Sequence, residues 1–273
     1  MKIVTLMENT QGREDCLFEH GLSIYVETDR HRLLVDTGAS DKFLSNAVVL
    51  GVDLAKVDTL ILSHGHYDHS GGILPFAEIN KNAVIYLQNS ATAAYYHKDE
   101  QEERYIGIAP EISKLSKARL LEGNYRIDEE LFLFGGVTQR RLWPSGNRVL
   151  AVKQGDAFIQ DEFEHEQYLV IEAEGKKVLI SGCAHNGILN ILDKFREIYD
   201  TWPDMVISGF HLKKKNGYTP EDMEMIRRIA EELKQLPTKF YTGHCTGEEP
   251  YAVMKEIMGD RLMYIHSGDT FKF

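Results

Sequence analysis

The sequence predicts a mixed α/β protein in which stacked sheets are flanked by helices. Three observations carry that expectation. Strand-like runs come first, strand and helix patterns alternate later, and 273 residues with 43% hydrophobic content suffice for a substantial core. Residues 21–28 alternate apolar and polar side chains, and residues 32–36 read as a buried strand ending at Thr37-Gly38. Residues 57–63 form another short apolar run, residues 83–87 predict a further strand, and 89–97 carry a helical pattern. The charge run from Asp99 to Arg104 opens a different stretch, 99–148, which predicts a surface excursion, a lid or insert within one domain spanning 1–273. No linker or repeat divides the chain.

In the second half, 167–173 and 177–181 pattern as a hairpin across Glu174-Gly175. Residues 188–199 place Ile188, Ile191, Leu192, Phe195 and Ile198 on one helical face. A strand over 205–208 follows. Thr219-Pro-Glu-Asp222 then starts a helix, with Thr as N-cap, Pro at the first position and acids in the first turn. A strand over 239–242 and a helix over 251–258 complete the pattern.

The net charge of -11 makes nucleic acid and anionic membranes poor partners, since both are bound through Lys and Arg. Three cysteines (Cys16, Cys183, Cys245) are too few for a disulfide framework. Glu8 interrupts the opening apolar run before a signal-peptide core forms, and no stretch approaches a membrane span. These features predict a cytoplasmic protein with reduced thiols.

The decisive segment is Ser63-His64-Gly65-His66-Tyr67-Asp68-His69-Ser70-Gly71-Gly72, with three His and one Asp within six residues after an apolar strand. Imidazole and carboxylate suit zinc and other first-row divalent ions. Adjacent positions do not all face one ion, so His64 and His66 suit one metal while Asp68 and His69 turn toward a second. No cysteine lies in the cluster, which favours an open, reactive site over a structural zinc site.

This segment, in order with Asp36-Thr-Gly38, Ser181-Gly-Cys-Ala-His-Asn-Gly187, Gly209-Phe-His-Leu212 and Thr242-Gly-His-Cys-Thr-Gly247, resembles the metallo-β-lactamase superfamily. The nearer likeness is to the branch of dihydropterin-linked ribofuranosylaminobenzene-phosphate synthases and their hydrolase relatives. The resemblance implies a four-layer αββα sandwich with two divalent ions, zinc first and manganese or iron as alternatives. His64 and His66 would bind the first ion, and Asp68, His69 and His244 the second. Asp36 matches the acid that braces the ligand loop.

One departure matters. The superfamily position before the hairpin falls near His165, in an acidic stretch that reads as surface, so His165 is expected to be a surface histidine. The missing imidazole is assigned to His185. Cys183 is either a bridging thiolate or a small buried neighbour. His211, ahead of the basic run Lys213-Lys214-Lys215, is expected to bind substrate or assist proton transfer. Lys213 and His20 are the further substrate contacts, although a solvated turn explains the lysines equally well. Asp68 would also orient the nucleophile's proton. The expected activity is metal-dependent hydrolysis of an anionic small molecule, a phosphodiester or phosphorylated compound, by water activated at a dinuclear centre. The alternatives are a mononuclear-iron, persulfide dioxygenase-like enzyme and a non-catalytic metal-binding sensor; a nuclease has less support from the charge. Oligomeric state is not legible.

Overall fold

A computed structural model describes all 273 residues. Strand β1 (Lys2–Met7) precedes the pair β2 (Ser23–Glu27) and β3 (Arg32–Val35), then helix α1 (Lys42–Val49), β4 (Thr59–Ile61), the one-turn helix α2 (Tyr67–Ser70), α3 (Ile73–Ile79) and β5 (Val84–Gln88). The middle of the chain supplies β6 (Tyr95–Lys98), β7 (Glu103–Tyr105), β8 (Ala118–Leu121), β9 (Tyr125–Arg126), β10 (Leu131–Phe134), β11 (Leu150–Gln154) and β12 (Ala157–Gln160). Next come β13 (Tyr168–Ala173), β14 (Lys176–Ile180), α4 (Ile188–Tyr199), β15 (Met205–Ile207) and α5 (Pro220–Lys234). The chain ends with β16 (Lys239–Thr242), α6 (Glu248–Met258), β17 (Leu262–Tyr264) and β18 (Thr270–Lys272).

Two seven-stranded sheets result, ordered β18-β1-β2-β3-β4-β5-β8 and β17-β16-β15-β14-β13-β10-β9. Their central strands are buried on both faces, and side-chain alternation assigns each residue to a layer. Ile24 and Val26 of β2, Leu169 and Ile171 of β13, and Val178 and Ile180 of β14 fill the space between the sheets. Tyr25 instead packs outward with Phe43, Ala47, Ile73 and Phe76 of α1 and α3. Tyr168, Val170 and Leu179 pack outward against α4, α5 and α6 through Ile191, Phe195, Ile229, Leu233 and Met254. A one-residue slip would exchange two different cores, so the register is fixed from both sides. The architecture is the expected αββα sandwich.

Local signals explain the elements. Glu174 and Gly175 both adopt positive φ, as a two-residue hairpin between Ala173 and Lys176 requires. Thr219 and Asp222 form a reciprocal capping box at the start of α5. The helix expected over 89–97 is instead a 3-10 turn, Asn89–Thr92, followed by strand β6. There Tyr95 and Tyr96 pair with β11 and β7, and Tyr96 packs on Tyr105 and Phe158, so aromatic cross-strand packing overrides helical spacing. The segment expected as a surface excursion over 99–148 is woven into three sheets. It supplies β8 to the first, β9 and β10 to the second, and β7 to a small third sheet ordered β12-β11-β6-β7. No helix is long and apolar enough to cross a membrane.

The parallel strands position the site. In the first sheet β3, β4, β5 and β8 run parallel, as do β14, β15, β16 and β17 in the second. Loops leaving their carboxyl ends carry Asp36, the histidine cluster, Cys183, His185, His211 and His244. Such ends are where open α/β sheets hold ligands.

Candidate metal centre

Two loops must approach closely for the site to form. A Cβ on Gly182 would stand 2.1 Å from Ser63 Oγ and 3.0 Å from His64 Nδ1, so only glycine lets the second sheet's loop lie against the first sheet's motif. Asp36, Ala184, His211 and His244 all adopt positive φ, which places four sterically costly residues in these strand-end loops.

His64, His66 and His185 form a buried triangle with ring centroids 4.6–4.9 Å apart. Their three Nε2 atoms are buried without any hydrogen-bond partner. For two of them the proton is fixed on the other nitrogen. Ser63 spends its hydroxyl proton on Asp36 Oδ2, so its Oγ accepts from His64 Nδ1 at 2.9 Å. Asn147 Oδ1 accepts from His185 Nδ1 at 3.0 Å. Orphaned buried nitrogens of this kind cost free energy unless something binds them. Phe163 stacks on the His185 ring at 4.5 Å, closing one side.

Asp68, His69, Cys183 and His244 form the second group. Bonds of about 2.0–2.3 Å to a tetrahedral ion leave donor atoms about 3.3–3.8 Å apart. His69 Nε2 is 3.2 Å from both His244 Nε2 and Cys183 Sγ, while Asp68 Oδ2 is 3.3 Å from His244 Nε2 and 3.7 Å from His69 Nε2. The Nδ1 atoms of both histidines face oxygen, Asp36 Oδ2 at 2.6 Å and Asn9 Oδ1 at 2.8 Å, so both Nε2 atoms are turned inward. Cys183 Sγ also lies within 4.8 Å of the donor atoms of His64 and His185, so it stands between the groups. The donor chemistry therefore fits divalent metal, with His64, Cys183 and His185 in one cluster of donor atoms and His69, Cys183 and His244 in another.

Electrostatics separate the groups. Burial, reinforced by neighbouring histidines, holds His64 and His185 well below the ordinary imidazole range and His66 down at about 3. Burial would lower His69 too, but Asp36 and Asp68 outweigh it and carry His69 up to about 9. Burial pushes the Cys183 thiol up, an effect that an adjacent cation reverses.

The remaining expected residues fall around this centre. Asp36 is fully buried and accepts from Ser63 N, Ser63 Oγ and His69 Nδ1, so it braces the ligand loop. His20 is half exposed, 3.2 Å from Asp68 Oδ2, and stacks on His244 at 4.9 Å. His211 packs 4.1 Å from the His185 ring with its Nδ1 buried and unpartnered, and its backbone N–H donates to Cys245 Sγ. Lys213 is exposed and forms no ion pair, whereas Lys214 is engaged by Asp222 at 2.5 Å and Lys215 reaches Glu102 at 3.9 Å.

The expectation that His165 is a surface histidine is overturned. It is fully buried beside His66, with Nδ1 accepting from Gly65 N at 2.9 Å and Nε2 facing Asp161 Oδ2 at 3.0 Å. The surrounding acids mislead: Asp161 and Glu166 are buried as hydrogen-bond acceptors while Glu162 and Glu164 face solvent. Both ring nitrogens of His165 are engaged, so it braces Gly65 between His64 and His66. Glu8, Asn9, Asn147 and Glu166, which hold the loops of His185 and His244, have no motif that marks them in the sequence.

A double sheet with a histidine-rich centre at its strand ends defines an α/β sandwich with a candidate metal centre. The model of the metallo-beta-lactamase superfamily matches residues 17–241, and the chain belongs to that superfamily. It is 28% identical over 296 residues to the 7,8-dihydropterin-6-methyl-4-(beta-D-ribofuranosyl)-aminobenzene-5'-phosphate synthase of Methanocaldococcus jannaschii, covering 100% of this chain and 97% of the relative. The crystal structure of Tm1679, a metal-dependent hydrolase of the β-lactamase superfamily, is 30% identical with a TM-score of 0.83, covering 100% and 99% of the two chains. Zn(2+)-bound PqqB from Methylobacterium extorquens shares the fold at 13% identity and a TM-score of 0.56, with complete coverage of both chains.

Proposed function

We propose that the protein is a dinuclear metal-dependent hydrolase acting on a phosphodiester or another phosphorylated small molecule. One observation carries the reading: three buried, partnerless Nε2 atoms lie beside Asp68, His69 and His244, whose donor atoms are 3.2–3.7 Å apart, with Cys183 within 4.8 Å of histidines in both groups. His64, His66 and His185 would hold one ion, and Asp68, His69 and His244 the other, with Cys183 as a further donor or a small buried neighbour. Zinc suits this mixture of imidazole, thiolate and carboxylate, with manganese or iron as the alternatives. When bound, such ions polarise water and the substrate oxygen, which makes hydrolysis accessible near neutral pH.

The chain's own groups have distinct tasks. The Asp68 carboxylate, 3.2 Å from His20 Nε2, orients the proton of the attacking water. His211 Nδ1, buried and unpartnered beside His185, donates a proton to the leaving oxygen. Lys213, the one lysine of its run without an ionic partner, attracts the phosphate, and His20 flanks it at the mouth. The relative named for a 5'-phosphate product lends support to a phosphorylated substrate.

Metal analysis of gently purified protein, with bis(p-nitrophenyl) phosphate as the substrate, tests this. The expected result is two ions per chain, turnover abolished by chelation, and a raised KM in Lys213→Ala. Activity surviving exhaustive chelation would sink the reading, and a single iron would redirect it to dioxygenase chemistry.

A further inference from the structure

His185 and His244 reach the centre alone, each from a loop of its own, whereas His64, His66 and His69 share one segment. Both lie where the backbone adopts positive φ, at Ala184 for the first and at His244 itself for the second. Each is nevertheless gripped at the same three points. Asn147 Oδ1 faces His185 Nδ1 at 3.0 Å, and Asn147 Nδ2 donates to the His185 carbonyl at 2.7 Å. Asn9 repeats the pair on His244, with Oδ1 2.8 Å from Nδ1 and Nδ2 donating to the carbonyl at 3.2 Å. The third point is a fully buried glutamate: Glu166 Oε1 accepts from His185 N at 2.6 Å, and Glu8 Oε1 accepts from His244 N.

We propose that Asn9 and Asn147 are positioning residues, which set the tautomer and ring orientation of His244 and His185 so that each presents a bare Nε2 to its ion. The proposal rests on the ligand assignment given above. Its logic uses donor and acceptor identity alone. A carbonyl oxygen only accepts, so the amide must turn its NH2 toward it, and the amide oxygen then faces Nδ1. That oxygen only accepts, so Nδ1 carries the proton and Nε2 keeps its lone pair. Because the same amide touches main chain and ring, it fixes the side-chain torsions relative to the strained loop. Glu8 and Glu166 accept from the N–H of the same histidines, one peptide group before the carbonyl that the asparagine takes.

The test uses the full chain, with zinc content and affinity measured by competition against a chromophoric chelator. Asn147→Leu should weaken one of two zinc ions by about 10–100-fold, the usual cost of losing such a partner, and spare the other. Asn147→Asp keeps the acceptor and should recover most of the loss. In a His185→Ala background Asn147→Leu should change nothing further, because its only route to the ion is gone. The corresponding set at Asn9 and His244 should affect the other ion. Asn147→Ala repeats the comparison if the leucine variant does not fold. Equal weakening of both ions, or the same loss persisting in His185→Ala, would overturn the proposal. Unchanged zinc in His185→Ala by itself would overturn the ligand assignment, and this proposal with it.

Discussion

The two halves of the centre are built from the same residue type and treat it in opposite ways. In the group of His64, His66 and His185 no carboxylate touches a ring nitrogen, and burial holds the imidazoles neutral, His66 with a pKa near 3. In the group of Asp68, His69, Cys183 and His244, two carboxylates flank His69 and carry it up to about 9. The first half is preorganised, because three Nε2 atoms already wait without partners and two of them have the proton fixed on the other nitrogen. The second is charge-compensated, because its donors are held together by acids that a cation or a proton can satisfy. The lesson is that burial among other histidines keeps an imidazole neutral, and carboxylates beside it favour the cationic form.

The largest expected effect tests which histidines complete the first half. His185→Ala should remove one ion per chain, with an affinity loss beyond the about 100-fold that loss of an outer partner costs. His165→Ala should keep both ions and lose less, because both its nitrogens are engaged by Gly65 and Asp161. Metal loss in His165→Ala with retention in His185→Ala would reverse the assignment.

A smaller effect belongs to the second half. Asp36→Ala removes a buried acid that accepts from Ser63 and His69, and should cost about 3–5 kcal/mol in denaturant unfolding of metal-free protein. A cost below about 1 kcal/mol would show that His69 does not depend on this carboxylate for its charge.

The smallest effect lies outside the centre and calibrates acid sensitivity. Burial alone would raise Asp222, but the Lys214 ammonium and the capping box at Thr219 outweigh it and hold the carboxyl at about 2. A lowered carboxyl pKa contributes stability that is present above the unfolded value near 4 and is lost as pH falls through about 2. Asp222→Ala should therefore cost about 1 kcal/mol at pH 7, with the difference from wild type vanishing near pH 2 in thermal melts. A difference that persists there would mean that the cap acts through packing and not charge.

Much of the fold was legible because it rests on local pattern. The hairpin at Glu174-Gly175, the helix of Ile188–Tyr199 and the capping box at Thr219 each follow from a few neighbouring residues. The failures are tertiary. Tyr95 and Tyr96 sit in a strand because partners from β7 and β11 reach them, and 99–148 supplies strands at the margins of three sheets through pairings that its local pattern does not show. At the site, the short-range cluster at 64–69 announced itself, whereas the role of His165 depended on Gly65, a hundred residues away.

The sequence alone determined the donor types, their order along the chain and the strand ends that carry them, because chemistry and periodicity are local. Only the tertiary structure decided which atoms face inward. That choice depends on the acceptor behind each ring — Ser63, Asp36, Asn9 or Asn147 — and three of the five candidate ligand histidines, His69, His185 and His244, find theirs on distant segments. It also made the acidic stretch around His165 interior rather than surface. A buried carboxylate is tolerated wherever backbone N–H groups and imidazoles converge on it, and that convergence exists only in the folded chain.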